Sequence, residues 1–290
     1  MPEMPEVQGL VDFLAERTAG LRVTRASVAA ISALKTFDPP ITDVPGSSAT
    51  GVRRHGKFID LVLASDEGAL HLVIHLAKAG WLRWYETSPT APVRPGRSPI
   101  ALRIAFDDGS GFDLTEAGTK KSLAVYVVRD PQDVPGIARL GPDPLDDDFT
   151  LDVFAGLLAG SRMQIKGLLR DQSVIAGIGN AYSDEILHVA RMSPYALAGT
   201  LDDEAVHRLY DALRTTLREA VETASGKPPA DLKDAKRRGM RVHARRGEAC
   251  PVCGDEVRSV FFADRSLEYC PTCQTGGKTL ADRRLSRLLK

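Results

Sequence analysis

Hydrophobic positions near the start of the chain repeat with the period of a helix. Val7, Leu10, Val11 and Leu14 fall on one face, and Pro5 suits a first turn, where a missing N–H leaves no bond unmade. Beyond Arg17 the period shortens to two. Ile59, Leu61 and Leu63 alternate with other residues. Leu102, Ile104 and Phe106 do the same and run into the turn Asp107-Asp108-Gly109-Ser110-Gly111 before Phe112 and Leu114. Residues 20–128 therefore predict short strands in a β-sandwich or barrel. Pro89, Pro92, Pro95 and Pro99 are too many for a central strand, so residues 86–99 predict a long surface loop.

A stretch rich in Pro, Gly and Asp from Asp130 to Asp148 separates these strands from a second, helical pattern. Phe149, Val153, Phe154, Leu157 and Leu158 begin it, and helices are expected near 163–170, 180–190 and 202–224. In the last, Leu209, Leu213, Leu217 and Val221 recur at helical spacing until Gly226, Pro228 and Pro229 end it. The expected class is α+β. Residues 1–130 form an N-terminal β-sandwich with an N-terminal helix, 131–148 a linker, 149–247 a helical domain, 248–276 a metal-bound β-hairpin and 277–290 a basic tail.

The length of 290 residues favours two domains over one. The N-terminal acids Glu3, Glu6, Asp12 and Glu16, with no basic stretch leading into an apolar one, argue against a secretion signal. No run of apolar residues is long enough to span a membrane, so a cytoplasmic, unanchored protein is expected. The formal net charge is zero, yet residues 233–290 hold 14 Lys and Arg against 7 Asp and Glu, leaving 24 against 31 before them. A basic C-terminal region on a neutral chain points to an anionic partner met by one face, as in nucleic-acid binders.

All four cysteines lie in one short region, Cys250-Pro-Val-Cys253 and Cys270-Pro-Thr-Cys273, which leaves none to cross-link the rest. Two such knuckles bring four thiolates around one tetrahedral Zn2+. Four thiolates close the coordination shell, so the zinc is expected to be structural, holding a hairpin and activating no water. Between the knuckles, Ala263-Asp264-Arg265-Ser266 puts Arg265 at a hairpin tip, either to bridge phosphates or as a solvated turn residue. Gly177-Ile178-Gly179-Asn180 opens a helix whose N–H groups suit an anion, with Asn180 as an added donor or as a plain helix cap. Pro2 becomes a secondary amine if Met1 is removed, and an α-amine is partly unprotonated near neutral pH, hence nucleophilic. Glu3 and Glu6 are its neighbouring carboxylates. Lys57 follows Arg53-Arg54-His55-Gly56 at the mouth of a strand. The six histidines make no metal-binding pattern, and His71 and His75 read as a strand face.

Together these pieces resemble the formamidopyrimidine-DNA glycosylase and endonuclease VIII family, the helix-two-turn-helix DNA glycosylases, over nearly the whole chain. Met-Pro-Glu-Met-Pro-Glu-Val at residues 1–7, Arg54-His-Gly-Lys57, Gly177-Ile-Gly-Asn180 and the four-cysteine finger with Arg265 occur in the family's order, and the opening is closer to the formamidopyrimidine branch. The resemblance makes residues 149–247 the helix-two-turn-helix domain. It implies that Pro2 is a Schiff-base nucleophile, Glu3 the acid and base assisting sugar opening and base departure, and Glu6 its support. Lys57 would contact phosphate and assist elimination. Asn180 and Arg265 would grip phosphates flanking the lesion, with Arg265 also serving the second elimination.

Two departures alter this expectation. The family's His-Leu-Gly-Met segment reads His75-Leu-Ala-Lys78, and Thr115-Glu-Ala-Gly-Thr-Lys-Lys-Ser-Leu lacks the usual Arg-Phe pair. Lys78, Lys120 or Lys121 would meet phosphate or the orphaned base but cannot wedge as an apolar side chain does. The expected activity is a monomeric bifunctional DNA glycosylase and abasic-site lyase acting on duplex DNA that carries a damaged or abasic nucleotide, oxidised purines first. The alternatives are a member of the same family preferring oxidised pyrimidines or abasic sites, and a non-catalytic binder of damaged DNA.

Overall fold

The computed structural model describes residues 1–94, 96, 98–117, 120–262 and 266–281. Its contacts divide the chain into two compact units. One is Met1–Leu140 with Ala224–Ala235, the other Gly141–Thr223 with the residues from Lys236 onward.

The first unit starts with helix α1 (Met4–Thr18), followed by strands β1 (Val23–Val28), β2 (Ser48–His55), β3 (Phe58–Ser65), β4 (Gly68–His75), β5 (Gly80–Tyr85), β6 (Ile100–Phe106), β7 (Gly111–Glu116) and β8 (Ala124–Val128). They form two antiparallel sheets, ordered β1-β6-β7-β5 and β2-β3-β4-β8. The period of two explains how the sheets pack. Ile59, Leu61 and Leu63 sit opposite Ile74, Leu72 and Leu70, and all six point into one core with Ile104, Phe112 and Leu114 of the other sheet. The stripe Val7, Leu10, Val11 and Leu14 of α1 closes this core.

The outer face of β3 and β4 is covered too. Phe58, Val73 and Val128 pack with Val134 and Ile137, so part of the segment read as a linker is a buried flap of the first unit, and the second unit begins at Gly141. Residues 224–235 also return to the first unit, whereas the sequence pattern places them in the helical domain. Leu232 joins its core, the Trp81 indole N–H donates to the Pro229 carbonyl at 3.1 Å, and the Lys233 ammonium lies 4.3 Å from the Trp81 ring centre. In the proline-rich stretch after β5, Pro89 and Ala91 are held by Arg103, whose guanidinium grips Asp113 at 2.7 and 2.8 Å and donates to their carbonyls.

The second unit carries α2 (Leu151–Leu158), α3 (Ile165–Arg170), α4 (Asn180–Val189), α5 (Asp203–Ala224), α6 (Leu232–Gly239), β9 (Arg258–Phe261), β10 (Ser266–Tyr269) and α7 (Pro271–Thr275); α5 ends, and α6 begins, in residues of the first unit. Thr150 caps α2 through the Val153 N–H, and Phe149, Phe154 and Tyr210 stack into one aromatic cluster. Strands β9 and β10 pair as an antiparallel hairpin between the two cysteine knuckles. Among the described residues, no helix is long and apolar enough to cross a membrane.

Candidate active site and zinc centre

At the start of α1 the chain is buried before the helix begins. Pro2 is buried, and Glu3 and Glu6 are only 2% and 3% exposed, while Met1 is half exposed. The Glu6 carboxylate accepts the Glu3 backbone N–H at 2.8 Å, which occupies a donor that a helix start otherwise leaves open. One turn further on, the Gln8 carbonyl oxygen accepts the Arg54 Nε–H at 2.7 Å, and Arg54 also donates to the Gly56 carbonyl. Helix α1 is thereby joined to the turn between β2 and β3. Gly56 adopts a left-handed conformation there, φ 55°, and the next residue is the buried Lys57. Pro2, Glu3, Glu6 and Lys57 thus belong to two adjoining pieces of the first unit.

Beside this turn, the ring of His75 lies 4.6 Å from that of Phe58. Burial, and then the charge on Lys57, lower the His75 pKa to about 4, so its ring is neutral near pH 7. His71 is a strand residue as expected, and it is paired. Its Nδ1 lies 2.9 Å from the fully buried Asp60, whose other oxygen lies 3.2 Å from His55 Nε2. After β4, Ala77 takes a left-handed φ of 51° and presents Lys78 on an exposed turn. The neighbouring loop is held by Glu116, which accepts the Ser122 and Leu123 N–H groups at 2.7 and 3.0 Å. Lys121 donates to the Glu116 carbonyl, whereas Lys120 is exposed.

In the second unit, Gln172 shapes the loop before α4. Its amide donates to the Arg170 and Ile178 carbonyls and accepts the Gly177 N–H, with Gly177 at φ 87°. The helix cap is Gly179, so Asn180 is the first helical residue and not an Asn cap. Its side-chain amide donates to the Ser266 carbonyl of β10 at 2.8 Å, which links the helix start to the hairpin. Arg265 lies outside the described residues, as do residues 282–290 of the basic tail.

The sulfurs of Cys250, Cys253, Cys270 and Cys273 all lie within 4.8 Å of one another, with Cys250–Cys273 at 3.9 Å and Cys253–Cys270 at 3.3 Å. A tetrahedral zinc with bonds of about 2.3 Å requires sulfur separations of roughly 3.8 Å. The donors fit, and no fifth group is needed. Val242 and Val257 pack against the cluster. His188 of α4 approaches it with Nε2 at 3.2 Å from the Cys250 sulfur; burial lowers its pKa to about 4, so the neutral ring can donate this N–H to a thiolate.

A second polar cluster was not anticipated. His243 Nδ1 lies 2.8 Å from Asp184 of α4 and 3.0 Å from Glu268 of β10, and Lys166 of α3 lies 2.6 Å from the other Asp184 oxygen. Burial opposes charge on His243, but hydrogen bonds to both carboxylates and their charges outweigh it and push its pKa up to about 9. Burial also works against the charged Glu268, yet hydrogen bonds from His243 and Ser266 help hold its pKa down to about 2. Burial pushes the Asp184 pKa up, and the neighbouring Lys166 and His243 pull against it. Next to Asp184, Glu185 accepts the backbone N–H groups of Arg241, Val242 and His243 at 2.7, 3.0 and 2.8 Å. The bonds of Asp184 and Glu185 to residues 241–243 join positions 56 to 59 apart, and no local motif announces them.

Comparisons with known proteins match the two domains and the zinc finger. Residues 1–121 match the model of the formamidopyrimidine-DNA glycosylase N-terminal domain, residues 140–228 that of the family's H2TH domain, and residues 247–276 the zinc finger found in FPG and IleRS. A formamidopyrimidine-DNA glycosylase from Symbiobacterium thermophilum is 34% identical over 287 residues, covering 94% of this chain and 89% of that protein. A formamidopyrimidine-DNA glycosylase-like protein from Mycobacterium tuberculosis is 60% identical over 151 residues, which is 52% of this chain and 94% of that one. Among solved structures, a complex of wild-type Lactococcus lactis Fpg with DNA containing N7-benzyl-Fapy-dG superposes with a TM-score of 0.82 at 25% identity, covering 94% of this chain and all of that one.

Proposed function

From the premise that the chain belongs to the formamidopyrimidine-DNA glycosylase family, the DNA glycosylases of base excision repair with a structural zinc, we propose that it is bifunctional, excising the damaged base and then cutting the strand through Pro2. The observation that carries this reading is the buried start of α1, where Pro2 is buried and the next residue, Glu3, is held through its backbone N–H by the Glu6 carboxylate. With Met1 removed, the Pro2 nitrogen attacks C1′ of the extruded deoxyribose. Glu3 donates a proton as the sugar ring opens, and the base leaves with the electron pair of the glycosidic bond. The resulting iminium acidifies C2′. Loss of a C2′ proton expels the 3′ phosphate, loss of a C4′ proton from the conjugated iminium expels the 5′ phosphate, and water hydrolyses the iminium to free Pro2 and the sugar fragment, leaving a one-nucleotide gap. Lys57, Asn180, Lys78 and Arg265 serve the phosphates, and these contacts offset the few kcal/mol needed to unstack the nucleotide. The protein acts as a monomer.

Oxidised purines such as formamidopyrimidine are the first expected substrates, as the names of the relatives suggest. A second reading, preference for oxidised pyrimidines or abasic sites, is favoured by the exposed Lys78, which replaces an apolar wedge with a cation. Borohydride reduction in the presence of abasic duplex tests the nucleophile. A covalent adduct is expected, lost in Pro2→Gly and in protein that retains Met1. No adduct from the wild type would leave a non-catalytic binder of damaged DNA. Duplexes with single defined lesions then rank the substrates.

A further inference from the structure

Strand β10 is fixed on both faces. Leu267 and Tyr269 enter a small apolar cluster with Val260, and alternation turns the intervening Glu268 the opposite way, onto His243. At the strand's first residue, the Ser266 carbonyl is held by Asn180. The same α4 that begins with Asn180 carries Asp184 one turn later, and Asp184 is the other partner of His243. Two ties therefore run between α4 and β10, one through Asn180 and one through His243. Lys166 of α3 anchors the second tie by holding Asp184 and donating to Ser183.

We propose that His243 is a positioning residue of the DNA grip, its ring bridging Asp184 and Glu268 so that the hairpin and the start of α4 meet two phosphates as a single rigid element. A buried ionic network of this kind contributes little net stability compared with an apolar core of the same volume. What it imposes is direction. The Asp184 oxygen accepts the Nδ1 hydrogen bond along a narrow range of angles while Glu268 pairs with the same nitrogen at 3.0 Å, and together the two contacts fix the register of β10 on α4 where apolar packing would allow sliding. The other Glu268 oxygen accepts the Ser259 hydroxyl across the hairpin at 3.4 Å, a bond that a neutral amide oxygen would accept as well, so the charge of Glu268 is directed at His243. The inference rests on the reading above in one respect, that Asn180 and the hairpin face DNA phosphates.

The test uses zinc-loaded, full-length His243→Gln and Glu268→Gln, with His243→Arg as the variant that keeps the positive charge. Each is compared with wild type for zinc stoichiometry, melting temperature, affinity for a duplex carrying a tetrahydrofuran abasic analogue, and borohydride trapping on true abasic DNA. The Gln variants are expected to weaken binding about tenfold, raising the KM for trapping while leaving its rate at saturating DNA near that of wild type. Arg should recover most of the affinity. Gln variants that keep wild-type affinity per folded molecule would overturn the proposal. So would failure of both Gln variants to fold, since the network would then be a device of stability. An absent adduct in the wild type strikes at Pro2 alone and leaves the affinity comparison intact.

Discussion

The Glu6 carboxylate lies 2.8 Å from the backbone N–H of Glu3, the residue that follows Pro2. Because the acceptor belongs to the first turn of α1, the helix itself fixes the direction in which the chain leaves Pro2. Glu6→Ala leaves a buried N–H without a partner, at a cost of about 1–3 kcal/mol, whereas Glu6→Gln retains a carbonyl oxygen at the same reach. Trapping with abasic DNA should fall roughly tenfold or more in the Ala variant and stay within about threefold of wild type in the Gln variant. A Gln variant as slow as Ala would mean that the ionised carboxylate acts on the substrate itself.

Zinc removal should abolish DNA binding. Among the described residues, the four sulfurs are completed by Val242 and Val257, so removing the metal leaves four thiols at the base of the hairpin with little apolar packing to hold them together. Chelation followed by a mobility-shift assay reads this out, and binding that survives complete zinc loss would refute the role.

Gly80 sits directly after the turn that presents Lys78, and its N–H donates to the Leu76 carbonyl at 2.9 Å. A Cβ at this position would lie 2.2 Å from that same carbonyl oxygen. Gly80→Ala must therefore open the turn, and we expect a loss of about 2–4 kcal/mol together with weaker DNA binding, measured by denaturant unfolding and by titration with an abasic-analogue duplex. Lys78→Ala, which leaves the turn intact, should weaken binding alike for all sequences and lower the salt slope by about one.

Two histidines should give opposite limbs to the stability–pH profile. His243 has a folded pKa of about 9 against 6.5 unfolded, so its contribution is complete below pH 6.5 and is lost as pH rises through 9. His75 has a folded pKa of about 4, so the unfolded chain takes up a proton that the folded state refuses as pH falls from 6.5 towards 4, and stability declines there. Thermal melts of the zinc-loaded protein should show that His243→Gln flattens the alkaline limb and His75→Gln the acid limb, each by a few degrees. An alkaline decline unchanged in His243→Gln would exclude that ring as its source.

Where a feature was written locally, the sequence was enough to find it. The alternation of Ile59, Leu61 and Leu63 gave the inward face of β3, and the two cysteine pairs gave the zinc cluster. Contacts made by distant residues were not legible. Lys166, Asp184, His243 and Glu268 come from four separate stretches, and each alone reads as a surface charge. His188 was hidden for the same reason, its partner Cys250 lying 62 positions away. The short α6 was missed because Pro228 and Pro229 signal a stop and its charged residues obscure the single inward stripe of Leu232 and Ala235.

The return of residues 224–235 beneath Trp81 also bears on how the polypeptide is made. When Leu140 leaves the ribosome the amino-terminal unit still lacks Ala224 and Leu232 of its core, and the whole of residues 141–223 must be synthesised before they can pack there. The unit that bears Pro2 is therefore among the last parts of the molecule to be completed, and in a nascent chain its core stays open until most of the helices of the second unit already exist.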